Sequence, residues 1–434
     1  MPKFRFHREP VLAAIPALLL ATVYSCASKG SNTDPVAAHG AASGPAESKT
    51  ATANQLSTAK PLTAKQSRPS PNTPVHYAFE RPKEVKGIYL TAWSAGSNRK
   101  MTQMLGLLDR TELNAVVIDI RDTGDMYFKT GIPLADEVHA TMVAVAKPDV
   151  LLKRLEKHKV WPIARIACFR DSWVPKAHPE RAVNFPNGGV WHDHSKHTWL
   201  DPYNKKNWEY IAATVDYALN IGFPEIQLDY VRFPSEGKRA SQVFPGRKGY
   251  VDPKAKPEDV IAAFAKYIGD KVRARGAVFS ADIFGIISST KGDEGIGQEL
   301  EKIAQPFDLI SPMVYPSHFA KGEYGVKDPN RQPYDILKKS LSDFKKRLPD
   351  KNVRPWLQDF SLGFHYGPEQ VKAELKAARE CGYTEFLLWN AGNHYTESAL
   401  AKEAAPAGAT EDSAPAAKTS EIKGEPKGVQ KAKV

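Results

Sequence analysis

Two apolar, strand-like segments of this chain each end near an aspartate, and a helix-like segment follows each of them. The first, Glu225-Ile-Gln-Leu-Asp-Tyr-Val-Arg-Phe-Pro234, places Asp229 where an arginine and a proline then stop the strand pattern. The second, Val278-Phe-Ser-Ala-Asp-Ile-Phe-Gly285, repeats the arrangement with Asp282. Carboxylates at the C-terminal ends of consecutive strands are what acid/base chemistry in a (β/α)8 barrel requires. The pair therefore favours a barrel with its site at that end.

Strand patterns alternate with helix patterns from residue 85 onward, which favours βα units around a parallel sheet. The predicted strands are 85–93, 115–122, 161–169, 225–233, 278–285, 307–315, 354–360 and 385–391. The predicted helices are 204–221, 257–276, 295–304, 334–347 and 368–381. We therefore predict an α/β fold, a (β/α)8 TIM barrel that forms a single catalytic domain.

Side chains alternate between two faces within the predicted strands. In the fourth strand, Ile226 and Leu228 share an apolar face. Gln227 and Asp229 share the opposite face, which becomes polar toward the C-terminal end. A closed barrel with helices outside and a polar mouth predicts this pattern, whereas an open doubly wound sheet would bury both faces under helices.

Composition separates this barrel from the ends of the chain. Residues 27–80 and 401–434 are rich in Ala, Lys and Pro and nearly lack aromatic residues. Such segments cannot bury enough apolar area to offset their chain entropy, so we predict a disordered tether and a disordered tail. The remaining segment, 81–400, has roughly 320 residues, a common size for one α/β barrel.

The first 26 residues have the features of an export signal. A basic start precedes an apolar run at 11–23 that is too short for an ordinary membrane helix. The run ends in Val23-Tyr-Ser-Cys26, which resembles a bacterial lipobox. We predict that 1–26 is a lipoprotein signal peptide and that Cys26 is lipidated; a plain secretory signal is the alternative. The chain would then be an exported, membrane-anchored lipoprotein facing the periplasm or the cell exterior.

Charge and cysteine content limit the other partners. The net charge is +11, but no basic cluster interleaves with aromatic residues, so we expect no nucleic-acid partner. Besides Cys26 the chain has only Cys168 and Cys381, which we interpret as buried structural thiols. A Gly-rich phosphate loop and a nucleophile elbow are both missing from the sequence, and we expect no cofactor.

Asp229 and Asp282 are the candidate catalytic residues. We predict Asp229 as the nucleophile, or as the base if the enzyme inverts, with Arg232 or Arg165 holding it ionised. A structural Asp–Arg pair at the barrel rim is the alternative. We predict Asp282 as the general acid, because its apolar neighbours would raise its pKa; an oriented hydrogen-bond acceptor is the alternative. Adjacent strands lie about 4.8 Å apart, which favours a retaining mechanism.

Other inward positions near the C-terminal ends of the strands supply aromatic and polar side chains that suit a carbohydrate. We expect Asp119 and Arg121 to form a buried charge pair, and we expect the aromatic loop 171–203 to form a substrate wall. The candidate substrate-binding residues are Tyr89, Trp93, Asp119, Arg121, Arg165, Arg232, Tyr315, His318, Gln358, Trp389 and Asn390.

A histidine-rich loop offers an alternative chemistry. His192, His194 and His197 have a spacing that a metal site can use, but the loop lacks a paired cysteine or a helical His-x-x-x-His. We therefore expect no metal, and we keep these histidines as the ligands of an alternative metal-dependent polysaccharide hydrolase or deacetylase.

Several motifs resemble one bacterial family, that of predicted glycoside hydrolase domains in the α-amylase-like TIM-barrel superfamily. The resemblance covers about 83–400, and it departs from the commonest acid of such barrels, a glutamate after the fifth strand, by offering Asp282. The motifs are Val85-Lys-Gly-Ile-Tyr-Leu-Thr-Ala92, Ile118-Asp-Ile-Arg-Asp122, Leu228-Asp-Tyr-Val-Arg-Phe-Pro234, Ser280-Ala-Asp-Ile-Phe-Gly285, Ile310-Ser-Pro-Met-Val-Tyr-Pro-Ser-His318, Arg354-Pro-Trp-Leu-Gln-Asp-Phe360 and Leu387-Leu-Trp-Asn390.

The resemblance implies a TIM barrel that acts on glycans. With the two aspartates, it leads us to expect a glycoside hydrolase acting on an envelope or extracellular polysaccharide. A non-catalytic glycan-binding surface lipoprotein is the main alternative.

Overall fold

Eight parallel strands close into a barrel in the computed structural model, which describes residues 77–400. Each strand pairs with the next along the chain, and the last pairs with the first, so the predicted (β/α)8 barrel is confirmed. The strands are Lys86–Leu90 (β1), Ala115–Asp122 (β2), Trp161–Ala167 (β3), Glu225–Asp229 (β4), Val278–Phe284 (β5), Leu309–Met313 (β6), Trp356–Gln358 (β7) and Phe386–Trp389 (β8).

Helices connect successive strands and cover the outside of the barrel. Four of them begin with proline in the first turn, a position that needs no backbone N–H donor. The helices are Asn98–Arg110 (α1), Pro148–Lys157 (α2), Lys205–Ile221 (α3), Pro257–Ala274 (α4), Leu300–Ala304 (α5), Pro333–Arg347 (α6) and Pro368–Glu380 (α7). Shorter elements are the helices Ala92–Gly96, Pro133–Glu137 and Val174–Ala177 and the strands Asp125–Met126 and Asn352–Val353.

The five predicted helices are all present, but α5 begins later than its pattern indicates. The cause is a turn before the helix, in which the Asp293 carboxylate accepts hydrogen bonds from the backbone N–H of Gly295 at 3.1 Å and of Gly297 at 3.0 Å. This local pairing competes with the helical hydrogen bonds, as aspartate side chains commonly do.

Seven of the eight strands end one to four residues earlier than predicted, and two of these differences affect the site. β1 ends at Leu90, because Thr91 accepts a hydrogen bond from the Ser94 backbone N–H at 3.2 Å and starts a short helix. β4 ends at Asp229, because Tyr230 has a φ of 48° and leaves the extended conformation. Trp93 therefore lies in a helix at the rim of the barrel and not in the strand that the sequence predicts.

The apolar side chains form two cores, one on each side of the barrel wall. The larger core lies between the strands and the helices. The smaller core fills the barrel interior and includes Val117, Trp161, Ile163 and Trp356. The interior is therefore packed and is not a pore, as in other barrels of this size.

A buried ion pair crosses the interior below the mouth, which is the end of the barrel where the strands terminate. Arg354 Nη2 donates to Glu225 Oε1 at 2.5 Å, and neither side chain is exposed to solvent. Trp161 and Ser280 donate to the same carboxylate at 2.8 and 2.7 Å. Burial alone would raise the pKa of Glu225, but Arg354 and these hydrogen bonds outweigh it and hold that pKa below its ordinary value.

Within 77–400, no helix is long and apolar enough to cross a membrane. The predictions for 1–26 with Cys26, for the tether up to residue 76 and for the tail at 401–434 lie outside the described residues. Cys168 is buried as predicted, whereas Cys381 is only partly buried.

We predict that Arg354→Met lowers the free energy of unfolding by about 3–5 kcal/mol, because it leaves the Glu225 carboxylate buried without its cation. Urea denaturation at pH 7 measures the change. Lys266→Met is the matched control, since its ion pair with Asp270 is largely exposed and its loss should cost less than about 1 kcal/mol. Equal costs for the two variants would contradict the prediction.

Candidate active site

Arg165 lies on β3 at the mouth and binds carboxylates from the strands on both sides. Its Nη2 and Nε atoms donate to Asp229 Oδ2 at 2.6 and 3.0 Å. Its Nη1 atom donates to Asp119 Oδ1 at 2.5 Å, and Asp122 lies 3.4 Å away. Burial alone would lower the pKa of Arg165, but the three carboxylates together hold it well above its ordinary value. The cation that pairs with Asp229 is therefore Arg165.

Asp229 occupies a tight bend at the end of β4. The Tyr230 backbone N–H donates to Asp229 Oδ1 at 2.6 Å, and the φ of 48° at Tyr230 is unusual for an aromatic residue. Such backbone strain is concentrated at functional sites, where the surrounding structure holds it in place. Both oxygens of Asp229 thus accept hydrogen bonds, and Arg165 compensates their charge.

Asp282 lies on β5 at the level of Asp229, one residue beyond the register pair Leu228–Ala281. Its Oδ1 atom accepts hydrogen bonds from Trp356 Nε1 at 2.6 Å and from the Gln227 amide. Only 2% of its surface is exposed. Burial, together with the nearby Asp229 charge, raises the pKa of Asp282 well above its ordinary value. The two aspartates thus have opposite environments.

Tyr89 and Trp389 form one wall of the mouth. Their rings stack with centroids 3.9 Å apart and an interplanar angle of 16°, and the Arg165 guanidinium lies 5.8 and 5.3 Å from the two rings. The Tyr89 hydroxyl donates to Asp119 Oδ2 at 2.5 Å. Burial raises the pKa of Asp119 to about 6, although Arg165 opposes this. These aromatic residues therefore help to position the charged network.

Arg121 lies elsewhere than predicted. The register between β2 and β3 shifts between Asp119 and Arg121, so Arg121 leaves the inward face. Its guanidinium binds Asp171 and the backbone carbonyls of Ala167 and Cys168 and is fully buried. The expected Asp119–Arg121 pair is therefore wrong: a bulge of one residue reverses which face the next side chain occupies.

Gln358 and Asn390 hold loops at the mouth. Gln358 Oε1 accepts hydrogen bonds from the backbone N–H and the hydroxyl of Ser317 at 3.1 and 2.8 Å, and the residue is fully buried. Asn390 donates to the Asp359 carbonyl and accepts from the Gly392 N–H at 2.9 Å. Contact of either amide with substrate stays a prediction, since their hydrogen bonds here are to the protein.

The remaining aromatic candidates lie at different depths. Trp93 is 60% exposed, with its ring centroid 6.5 Å from that of Tyr127. Tyr315 is buried, and its ring makes edge contacts with those of His318 and Phe360 at 4.9 and 5.6 Å. His318 is exposed. Trp93 is thus the aromatic residue of the rim with most surface available to a ligand.

The sequence predicts that the loop at 171–203, which follows β3, forms a substrate wall, but two of its tryptophans are arranged differently. Trp191 and Trp199 are buried, with 3% and 2% exposure, so these two rings pack inside the loop and do not form an open wall. His192 contacts the Asp193 carbonyl, His194 pairs with Glu236, and His197 pairs with the Asp193 carboxylate. Within residues 77–400, no group of three or more ligating side chains could hold a metal ion. The geometry therefore does not support the metal alternative.

Sequence reasoning missed two side chains that bind Asp282. Gln227 and Trp356 lie on the inward faces of β4 and β7, two residues before Asp229 and Gln358 respectively. The period-two alternation that selected Asp229 and Gln358 also points to these positions. The pattern shows that they face inward, but only the folded barrel shows which carboxylate they reach.

Several solved structures are similar to this chain. A hypothetical protein from Ruminiclostridium thermocellum is 35% identical over 45% of this chain and 96% of its own length, with a TM-score of 0.40. The glycoside hydrolase domain of PgaB (BpsB) from Bordetella bronchiseptica is 14% identical, with a TM-score of 0.50, over 71% of this chain and 94% of that domain.

Alpha-L-fucosidase isoenzyme 2 from Paenibacillus thiaminolyticus is 12% identical, with a TM-score of 0.51, over 73% of this chain. The match covers only 48% of the fucosidase. At these identities, the similarities to the fucosidase and to PgaB support the barrel fold alone. Curated protein sequences gave no significant match.

Residues 87–395 match the sequence profile of a family described as "Putative glycosyl hydrolase domain". The match confirms, at the level of the family, the resemblance found in the sequence motifs; membership of the α-amylase-like superfamily stays a prediction. Because the match runs from β1 to just beyond β8, this chain belongs to that glycosyl hydrolase domain family.

Proposed function

We propose that this chain hydrolyses a glycosidic bond in an envelope or extracellular polysaccharide, with Asp229 and Asp282 as the catalytic pair. The observation that carries the proposal is the contrast between the two carboxyl groups. Both are buried, but Asp229 is paired with Arg165, whereas Asp282 accepts hydrogen bonds from the neutral donors Trp356 and Gln227 and has a raised pKa. Carboxyl groups whose environments separate their pKa values divide the roles of acid and base in glycosidases.

In the first step, Asp282 donates its proton to the glycosidic oxygen as the bond from that oxygen to the anomeric carbon breaks. An Asp229 oxygen forms a bond to the anomeric carbon and gives a glycosyl-enzyme ester. In the second step, the Asp282 carboxylate takes a proton from water, which attacks the anomeric carbon and releases Asp229. Between the two steps, Trp356 and Gln227 stabilise the negative charge on Asp282 through the hydrogen bonds that they already donate.

The strand geometry supports the retaining course over an inverting one. Adjacent strands lie about 4.8 Å apart, close to the roughly 5–5.5 Å between the carboxyl groups of retaining enzymes. The common level of Asp229 and Asp282 on β4 and β5 supports that separation. An inverting enzyme needs room for a water molecule between the carboxyl groups, about 6.5–9.5 Å.

The aromatic side chains of the mouth supply sugar subsites in this proposal. Trp93 offers an exposed ring at the rim, and the stacked pair of Tyr89 and Trp389 borders the charged network. Aromatic faces suit the apolar faces of sugar rings, and the neighbouring polar groups fix their orientation. We include Tyr315 and His318 among the residues that contact the sugar in this proposal.

We predict that Asp229→Asn and Asp282→Asn each lower turnover by at least about 100-fold, because each removes a group that bonds to or protonates the substrate. New reducing ends from extracted bacterial envelope and biofilm polysaccharides measure the activity. Asp149→Asn, on the exposed first turn of α2, makes the same chemical change outside the barrel and should leave activity unchanged. Binding by the wild type with no release of reducing ends would favour a glycan-binding protein.

We predict that activity falls as pH rises through the pKa of Asp282, well above the ordinary range of an aspartate. Trp356→Phe removes a hydrogen bond that lowers this pKa, so the alkaline limb should shift to higher pH. The pH dependence of kcat/KM measures the shift. An alkaline limb that is the same in both proteins would exclude Asp282 as the general acid.

We also propose export and lipid anchoring, on the sequence pattern that ends at Cys26. Cys26→Ser should abolish incorporation of radiolabelled palmitate in a bacterial host. A chain that is exported without any label would instead indicate a plain secretory signal.

A further inference from the structure

Arg232 is a buried arginine at the mouth that lacks a carboxylate partner. Only 6% of its surface is exposed, and one guanidinium N–H donates to the Phe233 carbonyl at 3.1 Å. Its guanidinium lies 4.8, 5.1 and 4.7 Å from the ring centroids of Trp199, Tyr230 and Phe284. The three rings hold the cation in place by cation–π contact but do not neutralise its charge.

Three other buried arginines of the barrel differ from Arg232 in this respect, whereas a fourth, Arg275, donates to the neutral Asn220 side chain at 2.9 Å. Arg165, Arg121 and Arg354 each bind at least one carboxylate directly. Among the described residues, no carboxylate lies within ion-pair distance of Arg232. Burial lowers the pKa of Arg232 to about 10, although Tyr230 and Asp229 oppose this. Burial of this cation is thus only partly compensated within the protein.

Within residues 77–400, Arg232 donates a hydrogen bond only to the Phe233 carbonyl, so its guanidinium keeps N–H groups without a hydrogen-bond partner in the protein. Among the described residues, Arg121, Arg170, Arg275 and Arg354 each have an Nε that is buried without a hydrogen-bond partner, whereas no nitrogen of Arg232 is buried in this way. Because Phe233 takes only one of the five guanidinium N–H groups, the others remain for a ligand. A planar fork of this kind matches the two oxygens of a carboxylate.

The position of Arg232 places such a ligand beside the catalytic pair. Arg232 follows Asp229 by three residues at the end of β4, and Phe284, which contacts it, follows Asp282 by two residues on β5. Glu236, the next carboxylate along this loop, pairs with His194. A group bound at Arg232 would therefore belong to the sugar at the scissile bond or to its neighbour.

We propose that Arg232 binds the carboxylate of a uronic acid residue of the polysaccharide, so that the substrate is an acidic polymer. That the acidic polymer is a substrate rests on the proposed function, whereas binding of a uronate at Arg232 does not depend on turnover. A singly charged carboxylate fits better than a phosphate dianion, because Asp119, Asp122 and Asp229 already contribute negative charge to this mouth.

The test is a titration of the full chain, uniformly ¹⁵N-labelled, that follows the Arg232 Nε–H resonance by NMR. Arg232→Lys identifies the resonance by its loss. The probes are glucuronate, galacturonate, mannuronate and guluronate, each compared with its neutral hexose and with acetate at equal concentration. A saturable shift with at least one uronate, and with neither its hexose nor acetate, is the expected result.

No saturable shift with any uronate would overturn the proposal, and so would an equal response to acetate, which would show a site for simple anions. Arg232→Gln should weaken binding of the responding uronate about 10- to 100-fold, the effect of losing hydrogen bonds between charged groups. Arg239→Gln is the matched control, because Arg239 also lies over two aromatic rings, those of Phe233 and Phe244, but on the exposed loop. It should leave binding unchanged.

These measurements separate the two proposals. Uronate binding without release of reducing ends from any polysaccharide would retain this site and overturn the hydrolase. Hydrolysis with the same kcat/KM in the wild type and in Arg232→Gln would retain the hydrolase and overturn this site.

Discussion

One guanidinium, that of Arg165, connects three consecutive strands at the end of the barrel where the chemistry is proposed. It binds Asp119 of β2 on one side and Asp229 of β4 on the other, and a third carboxylate lies close by. Burying charges is costly unless each has a partner with good geometry, so the members of this network depend on one another. Removal of the Arg165 side chain would leave Asp119 and Asp229 buried without their cation.

The network also makes the two catalytic candidates unequal. Arg165 Nε is 3.0 Å from Asp229 but 4.0 Å from Asp282, and Asp282 instead accepts hydrogen bonds from neutral donors. The raised pKa of Asp282 therefore does not require a strand level different from that of Asp229. A single cation displaced toward one of two neighbouring carboxylates, together with the burial of the other, is enough.

Much of the fold could be predicted because alternation with period two is a direct consequence of strand geometry. The same rule selected Asp229, Asp282, Arg165 and Tyr89 as inward residues near the mouth. It failed at Arg121, because an irregularity of one residue in β2 reversed the side-chain direction, and no residue type announces such a shift.

Sequence alone also left two cations open as partners of Asp229. Arg165 lies far from Asp229 along the chain but on the neighbouring strand, two residues before Ala167, the register partner of Asp229. Arg232 is close to Asp229 in sequence, but its guanidinium lies against aromatic rings. Residues that are close in sequence need not be ion-pair partners where a strand ends. At Tyr230 the φ of 48° changes the direction of the backbone, so the residues that follow it leave the strand. Only the folded backbone decides between the two arginines.

The packed floor below the mouth, with the Glu225–Arg354 pair at its centre, limits the paths that molecules can take. A polymer could not thread this barrel, so under the proposed function it would lie across the open end, and its products would leave by the side from which it arrived. Water for the proposed second step would have the same single approach. Departure of the leaving sugar would therefore clear the way for water, and the packed barrel interior would set that order of events.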